Sequence, residues 1–151
     1  MARGVKKDRI RFAKRVDKRS HLQRVGIADL FLDSFFYGAH STATDSLRGG
    51  LPVLSVAGDA FARRVGITLL ENMGLGNSLL VNSMKEFGEV AADLAANNSI
   101  LSKIRTQLVG GWSSGLFNTQ QYTRDFERMA KLMHEIYCNR WKTHRYMHIV
   151  V

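Results

Sequence analysis

The 151-residue chain has one cysteine, one proline and no apolar run long enough to span a membrane. Cys138 alone cannot build an intramolecular disulfide framework, which excludes the cysteine-stapled secreted scaffolds. It ends a helical pattern in a polar, basic neighbourhood with no base evident beside it, so it reads as a surface residue and not as a nucleophile. A transmembrane helix needs roughly 18 or more consecutive apolar residues, and no segment supplies them. The basic N-terminus lacks the apolar stretch of a secretory signal. These absences set the expectation of a reducing cytoplasmic or nuclear compartment and no membrane.

Acidic charge is scarce at the ends of the chain. Residues 1–24 hold ten Lys and Arg against Asp8 and Asp17, whereas residues 25–138 carry nine basic against eleven acidic groups. Arg140, Lys142 and Arg145 make the last thirteen residues basic again. The net charge of +9 therefore lies in a leader (1–8), the residues just after it and a tail (139–151), around a nearly neutral body. Such asymmetry points to a polyanionic partner: nucleic acid, a membrane surface or a phosphate-bearing ligand. With 45% hydrophobic residues and 13 Gly, the composition is that of one globular domain.

Hydrophobic periodicity outlines alternating strands and helices. Arg9 to Phe12 alternates as a half-buried strand would, and Ser20 fits the N-cap of a short helix through Val25. Ala28–Asp33 reads as a second strand, followed by a helix from Ser41 to Arg48 that Gly49-Gly50 stops. Leu51–Val56 is the third strand and Ser78–Val81 the fourth, with a helix over Ala60–Met73 between them. Ser83-Met-Lys-Glu86 is a capping box opening a helix to Ala96, and Ser99 is expected to cap another to Val109. A last helix, Gln120–Tyr137, places Tyr122, Phe126, Met129, Met133 and Ile136 on one stripe, expected to be mostly core. This alternation predicts an α/β fold with an open, Rossmann-like parallel sheet. Ligands bind such sheets outside the carboxyl ends of the strands, which here directs attention to residues 13–21 and 34–45.

In the second of these loops, Gly38-Ala-His-Ser-Thr42 brings small residues, an imidazole and two hydroxyls to a helix start directly after a strand. The free N–H groups and dipole there suit an anion, although a hydroxyl N-cap with a hydrogen-bonded histidine would give the same pattern. It is neither a Walker loop nor a dinucleotide fingerprint. Asp45, one turn on, can accept from ribose hydroxyls or simply stabilise the helix. Lys18, His21 and Arg24 are spaced to share one helix face, where an imidazole can stack on a base and the cations can meet carbonyls or phosphate. Together the two loops suit a nucleoside diphosphate better than a duplex. The alternative is a non-catalytic nucleic-acid-binding or interaction module using the basic N-terminus, but Phe12 is the only aromatic residue before residue 31, a poor stacking platform.

Arg9-Ile-x-Phe12, Lys18-x-x-His21-x-x-Arg24, Ala28-Asp29, Leu32-Asp33, Gly38-x-His40-Ser-Thr42-x-x-Asp45 and Gly50-x-Pro52-Val53 occur here in one order. With Gly58-Asp-x-Phe61 and Leu116-Phe-Asn-Thr119-x-Gln121-Tyr122, they closely resemble the C-terminal catalytic lobe of protein O-GlcNAc transferases. The resemblance covers about residues 9–138. It implies a GT-B, glycosyltransferase family 41 enzyme that transfers N-acetylglucosamine, with inversion, from UDP-GlcNAc to Ser or Thr of intracellular proteins. Carried over by position, Val16, Asp17 and Lys18 with His21, Leu22, Gln23 and Arg24 would hold the uracil, His21 stacking on it. His40, Ser41 and Thr42 would hold the diphosphate, and Asp45 the ribose. The similar plant-type O-fucosyltransferases have threonines at the place of His40 and lack the His/Arg pair, which favours uridine over guanosine.

No cofactor is expected, and hydrogen bonds with a helix dipole would replace a metal. The His144-x-x-x-His148 pair has helical metal spacing but no third ligand, and reads as incidental. Val16-Asp17-Lys18 stands where the family usually has Ala-Pro-Lys, which puts an acid near the expected uracil pocket, and Ser41 replaces a threonine. Nothing before Arg9 resembles the N-terminal catalytic lobe, the tetratricopeptide helices or the diphosphate-binding lysine. The expectation is thus an incomplete lobe: the donor-nucleotide half of the site, inactive alone.

Overall fold

A computed structural model describes residues 4–113 and 115–138; the basic tail and the His144/His148 pair lie outside the described residues. Three parallel strands, β1 (Phe31–Leu32), β2 (Val53–Val56) and β3 (Leu80–Val81), form a sheet in the order β1-β2-β3. Phe31 registers with Val53, and Ser55 with Leu80. Helices α1 (Lys18–Val25), α2 (Ser41–Arg48), α3 (Phe61–Asn72), α4 (Gly76–Leu79), α5 (Met84–Ala96), α6 (Asn98–Gly110) and α7 (Thr119–Cys138) complete the described chain. The α/β class and open parallel sheet are as the sequence predicts.

Central β2 is buried along its whole length, which explains why its sequence is a continuous apolar run broken only by Ser55. Around it, Leu47 of α2, Leu70 of α3, Leu79, Phe87 of α5 and Leu108 of α6 share one apolar cluster. Among the described residues no helix is long and apolar enough to cross a membrane.

Several boundaries differ from the sequence reading. Arg9–Phe12 is not a strand: a 3-10 turn over Lys7–Arg9 precedes irregular backbone, and Phe12 is 96% exposed. Alternation alone makes no strand when no neighbouring edge pairs with it and basic residues flank the aromatic. The N-cap of α1 is Asp17, whose side chain accepts the Ser20 amide hydrogen, so α1 starts earlier than a Ser20 cap would allow. Asn97, not Ser99, caps α6 by accepting from the Ile100 amide. The strand expected over residues 78–81 is preceded by one helical turn, α4, and shrinks to Leu80–Val81.

Half of the capping box forms as expected, with Ser83 Oγ accepting from Glu86 N at 3.1 Å, whereas Glu86 Oε2 reaches one residue beyond the N-cap and accepts from Asn82 N at 2.8 Å. The stripe of α7 is not core. Tyr122, Phe126 and Met133 are exposed, and Ile136 alone is buried. Periodicity showed which residues share a face of α7, but not whether that face is covered.

Candidate functional site

The two loops singled out by the sequence converge. Following β1, residues 33–40 curve back to the start of α2, while α1 lies against α2 and presents Lys18 and His21 to it. Lys18 Nζ forms an ion pair with Asp45 Oδ1, and His21 Nε2 stands 3.9 Å from Asp45 Oδ2. Arg24 donates to the Lys14 carbonyl at 2.8 Å, and its second nitrogen lies 3.4 Å from His21 Nδ1. The first bond holds the Lys14–Val16 segment over α1, while the second contact fixes the imidazole beside the guanidinium.

Two adjoining clefts result, of about 430 and 520 Å³. The first is lined by Arg15, Val16, Lys18, His21, Arg24 and Thr42. The second is lined by Ser34, Tyr37 and Gly38 and by His40, Ser41 and Thr42, so Thr42 borders both. Leu22 is half-buried and Gln23 exposed, and neither lines these two clefts. Asp17 turns away to its cap, accepting from Ser20 N at 3.1 Å and Ser20 Oγ at 2.7 Å. The Ser20 hydroxyl, then its amide, hold the Asp17 pKa below the usual 3.8.

The start of α2 is open. His40 occupies the N-cap position without a side-chain cap bond, so the serine and threonine hydroxyls do not cap the helix. Thr44 N–H is the first to bond back, to the His40 carbonyl, which leaves the Ser41, Thr42 and Ala43 N–H groups without intrahelical acceptors. The His40 ring is held from three sides. Its Nε2 lies 3.2 Å from the Ala62 carbonyl, which only accepts, so in this contact Nε2 carries the hydrogen. Tyr37 stacks on the ring at 5.1 Å and Phe61 meets it edge-on at 6.1 Å.

Sequence reasoning missed Arg15 and Tyr37 as lining residues, and the Ala62 carbonyl that aligns His40. It also missed an imidazole beside Cys138: the His134 Nε2 lies 3.4 Å from the sulfur, one turn back on α7. Among the described residues no group of three or more His, Cys, Asp or Glu could hold a metal ion.

An open parallel sheet with clefts beside the loop that follows β1 has the architecture of a Rossmann-like lobe of the GT-B glycosyltransferase fold. The description "Glycosyl transferase family 41" matches residues 1–126, and the chain belongs to this family. It is 32% identical over 91% of its length to an Arabidopsis thaliana protein named "Probable UDP-N-acetylglucosamine-peptide N-acetylglucosaminyltransferase SEC". Over 79% of its length it is 34% identical to the SPINDLY protein of Oryza sativa subsp. japonica, which bears the same activity name. It spans only 14% and 13% of those two relatives. An O-GlcNAc transferase variant from Thermobaculum terrenum superposes with a TM-score of 0.80 at 24% identity, covering 87% of this chain and 25% of that one. That superposition supports the fold.

Proposed function

We propose that this chain supplies the donor-nucleotide half of a protein O-GlcNAc transferase, binding the UDP portion of UDP-GlcNAc for transfer to Ser or Thr of nuclear or cytoplasmic proteins. The observation that carries the reading is the meeting of Lys18 and His21 with Asp45 beside an uncapped α2 start. The uracil would stack on His21 with Arg24 and Val16 around it, and the ribose hydroxyls would donate to Asp45 in place of its contact with Lys18. The diphosphate would then lie at the exposed Ser41 and Thr42 N–H groups, where the positive end of a helix dipole favours negative charge.

Sugar transfer develops charge on the leaving UDP oxygen. Donors already aimed at that oxygen need no reorganisation during the reaction, and this is how a protein can do the work of a metal ion. The Ser41 and Thr42 hydroxyls add donors to the backbone set. The chain spans about one-seventh of its relatives, and in this reading acceptor binding and the opposing face of the cleft would come from the remainder of a complete enzyme.

Calorimetric titration of the 151-residue chain with UDP and with GDP tests the reading. UDP is expected to saturate and GDP to bind more weakly. His21→Ala should weaken UDP about 5- to 150-fold, the stacking contribution of one base being about 1–3 kcal/mol. A folded chain with no saturable UDP binding overturns the proposal.

A further inference from the structure

Asp33, at the carboxyl end of β1, is a carboxyl group only 5% exposed that takes no part in the nucleotide contacts proposed above. Burying such a group is unfavourable unless donors surround it. Here they do. One oxygen, Oδ1, accepts from both Ser34 N and Ala39 N at 2.7 Å, drawing together two residues that flank the whole turn. The other, Oδ2, accepts from the Ser55 hydroxyl of β2 at 2.7 Å. The backbone of Asp33 is itself fixed to the sheet, its N–H donating to the Leu54 carbonyl at 3.0 Å.

The packing around this carboxyl requires two glycines. A Cβ on Gly66 of α3 would stand 2.4 Å from Ser55 Oγ and 3.4 Å from Asp33 Oδ2. A Cβ on Gly38 would stand 2.7 Å from the Ala62 carbonyl oxygen and again 3.4 Å from Asp33 Oδ2. Gly38 N–H donates to that same carbonyl at 3.1 Å, and His40 Nε2 approaches it at 3.2 Å. Asp33 and Ala62 thus grip the turn from two sides, immediately before the helix start where the diphosphate is placed.

We propose that Asp33 is the positioning residue of this anion loop: its buried carboxyl anchors Ser34 and Ala39 to the rigid centre of the sheet and so sets where His40, Ser41 and Thr42 stand. This rests on the diphosphate reading of the α2 start. Asp33 touches no ligand; it acts through the backbone it holds. Asparagine can reproduce the arrangement, with its amide oxygen accepting the two N–H groups and its NH2 donating to the Ser55 hydroxyl, whereas alanine cannot.

The test compares Asp33→Ala, Asp33→Asn, Ser55→Ala and a remote core variant, Leu101→Ala, in the 151-residue chain, by UDP titration and amide hydrogen exchange. Asp33→Ala is expected to weaken UDP about tenfold or more and to speed exchange at Ser34 and Ala39, since both amides lose their buried acceptor. Asp33→Asn should restore both readouts to within about threefold, the acceptor being replaced. Leu101→Ala should lose stability while UDP affinity and Ala39 exchange stay as in the parent. A folded Asp33→Ala variant with parental affinity and exchange overturns the proposal, and so does failure of asparagine to restore them. If Asp33→Ala does not fold, Ser55→Ala decides: faster Ala39 exchange supports the anchor and unchanged exchange refutes it. Exchange needs no nucleotide, so a parent chain that binds no UDP would refute the donor-site reading and leave the anchoring of the loop to be judged on exchange alone.

Discussion

Asp17 stands where the resembled family carries proline, and its acid is spent on the α1 cap, not on the cleft. α1 buries none of its residues fully, so it depends on its cap and on α2 for order. Because the Ser20 hydroxyl and amide bond the charged carboxylate, the folded pKa lies below 3.8. The cap is therefore complete above that value and is lost as pH falls through the lower, folded one. On acidification from neutral pH the protection of the Ser20 amide, measured against the unstructured amide at the same pH, should hold until about pH 4 and fall below it, and Asp17→Ala should lack that protection at every pH. Gly38 gives a steric prediction. Alanine there would meet the Ala62 carbonyl at 2.7 Å, so urea unfolding should show a loss of about 1–3 kcal/mol together with weaker UDP binding. Lys18, His21 and Asp45 were legible in the sequence because helical spacing and position after a strand constrain them. The anchoring role proposed for Asp33 was not, since two of its three donors come from six and twenty-two residues away and only folding brings them together.

At the scale of elements, hydrophobic pattern placed helices well, including the exposed α7, but did not show which faces are covered. β2, enclosed by the core, and α3, which buries Gly66, Leu69 and Leu70 against it, sit within two residues of where hydrophobic pattern puts them. Arg9–Phe12 and the α7 stripe failed for a common reason: pattern identifies a face that can be buried, and burial needs a partner surface that pattern does not reveal. The difference has an energetic signature. Leu108 of α6 is fully enclosed, so Leu108→Ala should cost about 2–5 kcal/mol in urea unfolding. Phe126→Ala, on the open face of α7, should change stability by no more than about 0.5 kcal/mol, despite removing the larger side chain. A Phe126→Ala loss as large as that at Leu108 would mean that the α7 face is covered in solution.

For the whole molecule, the separation of charge from chemistry decides between a nucleotide site and a general polyanion surface. The cleft lining begins at Arg15, whereas residues 4–12 are exposed along their length and make no side-chain hydrogen bond or ion pair among the described residues. Their basic groups are free to attract any polyanion, with an affinity that falls steeply with salt, each neutralised phosphate contributing about 0.7–0.9 to the logarithmic slope. Binding of UDP draws instead on stacking and on hydrogen bonds at fixed donors, and involves one diphosphate. Deleting residues 1–8, which removes Arg3, Lys6 and Lys7, should therefore leave the UDP dissociation constant unchanged while weakening retention of a single-stranded oligonucleotide and flattening its salt dependence. Paired titrations at two salt concentrations read both quantities. Loss of UDP affinity on that deletion would place the leader inside the donor site. Unchanged affinity for both ligands would show that the charge of residues 1–8 recruits neither.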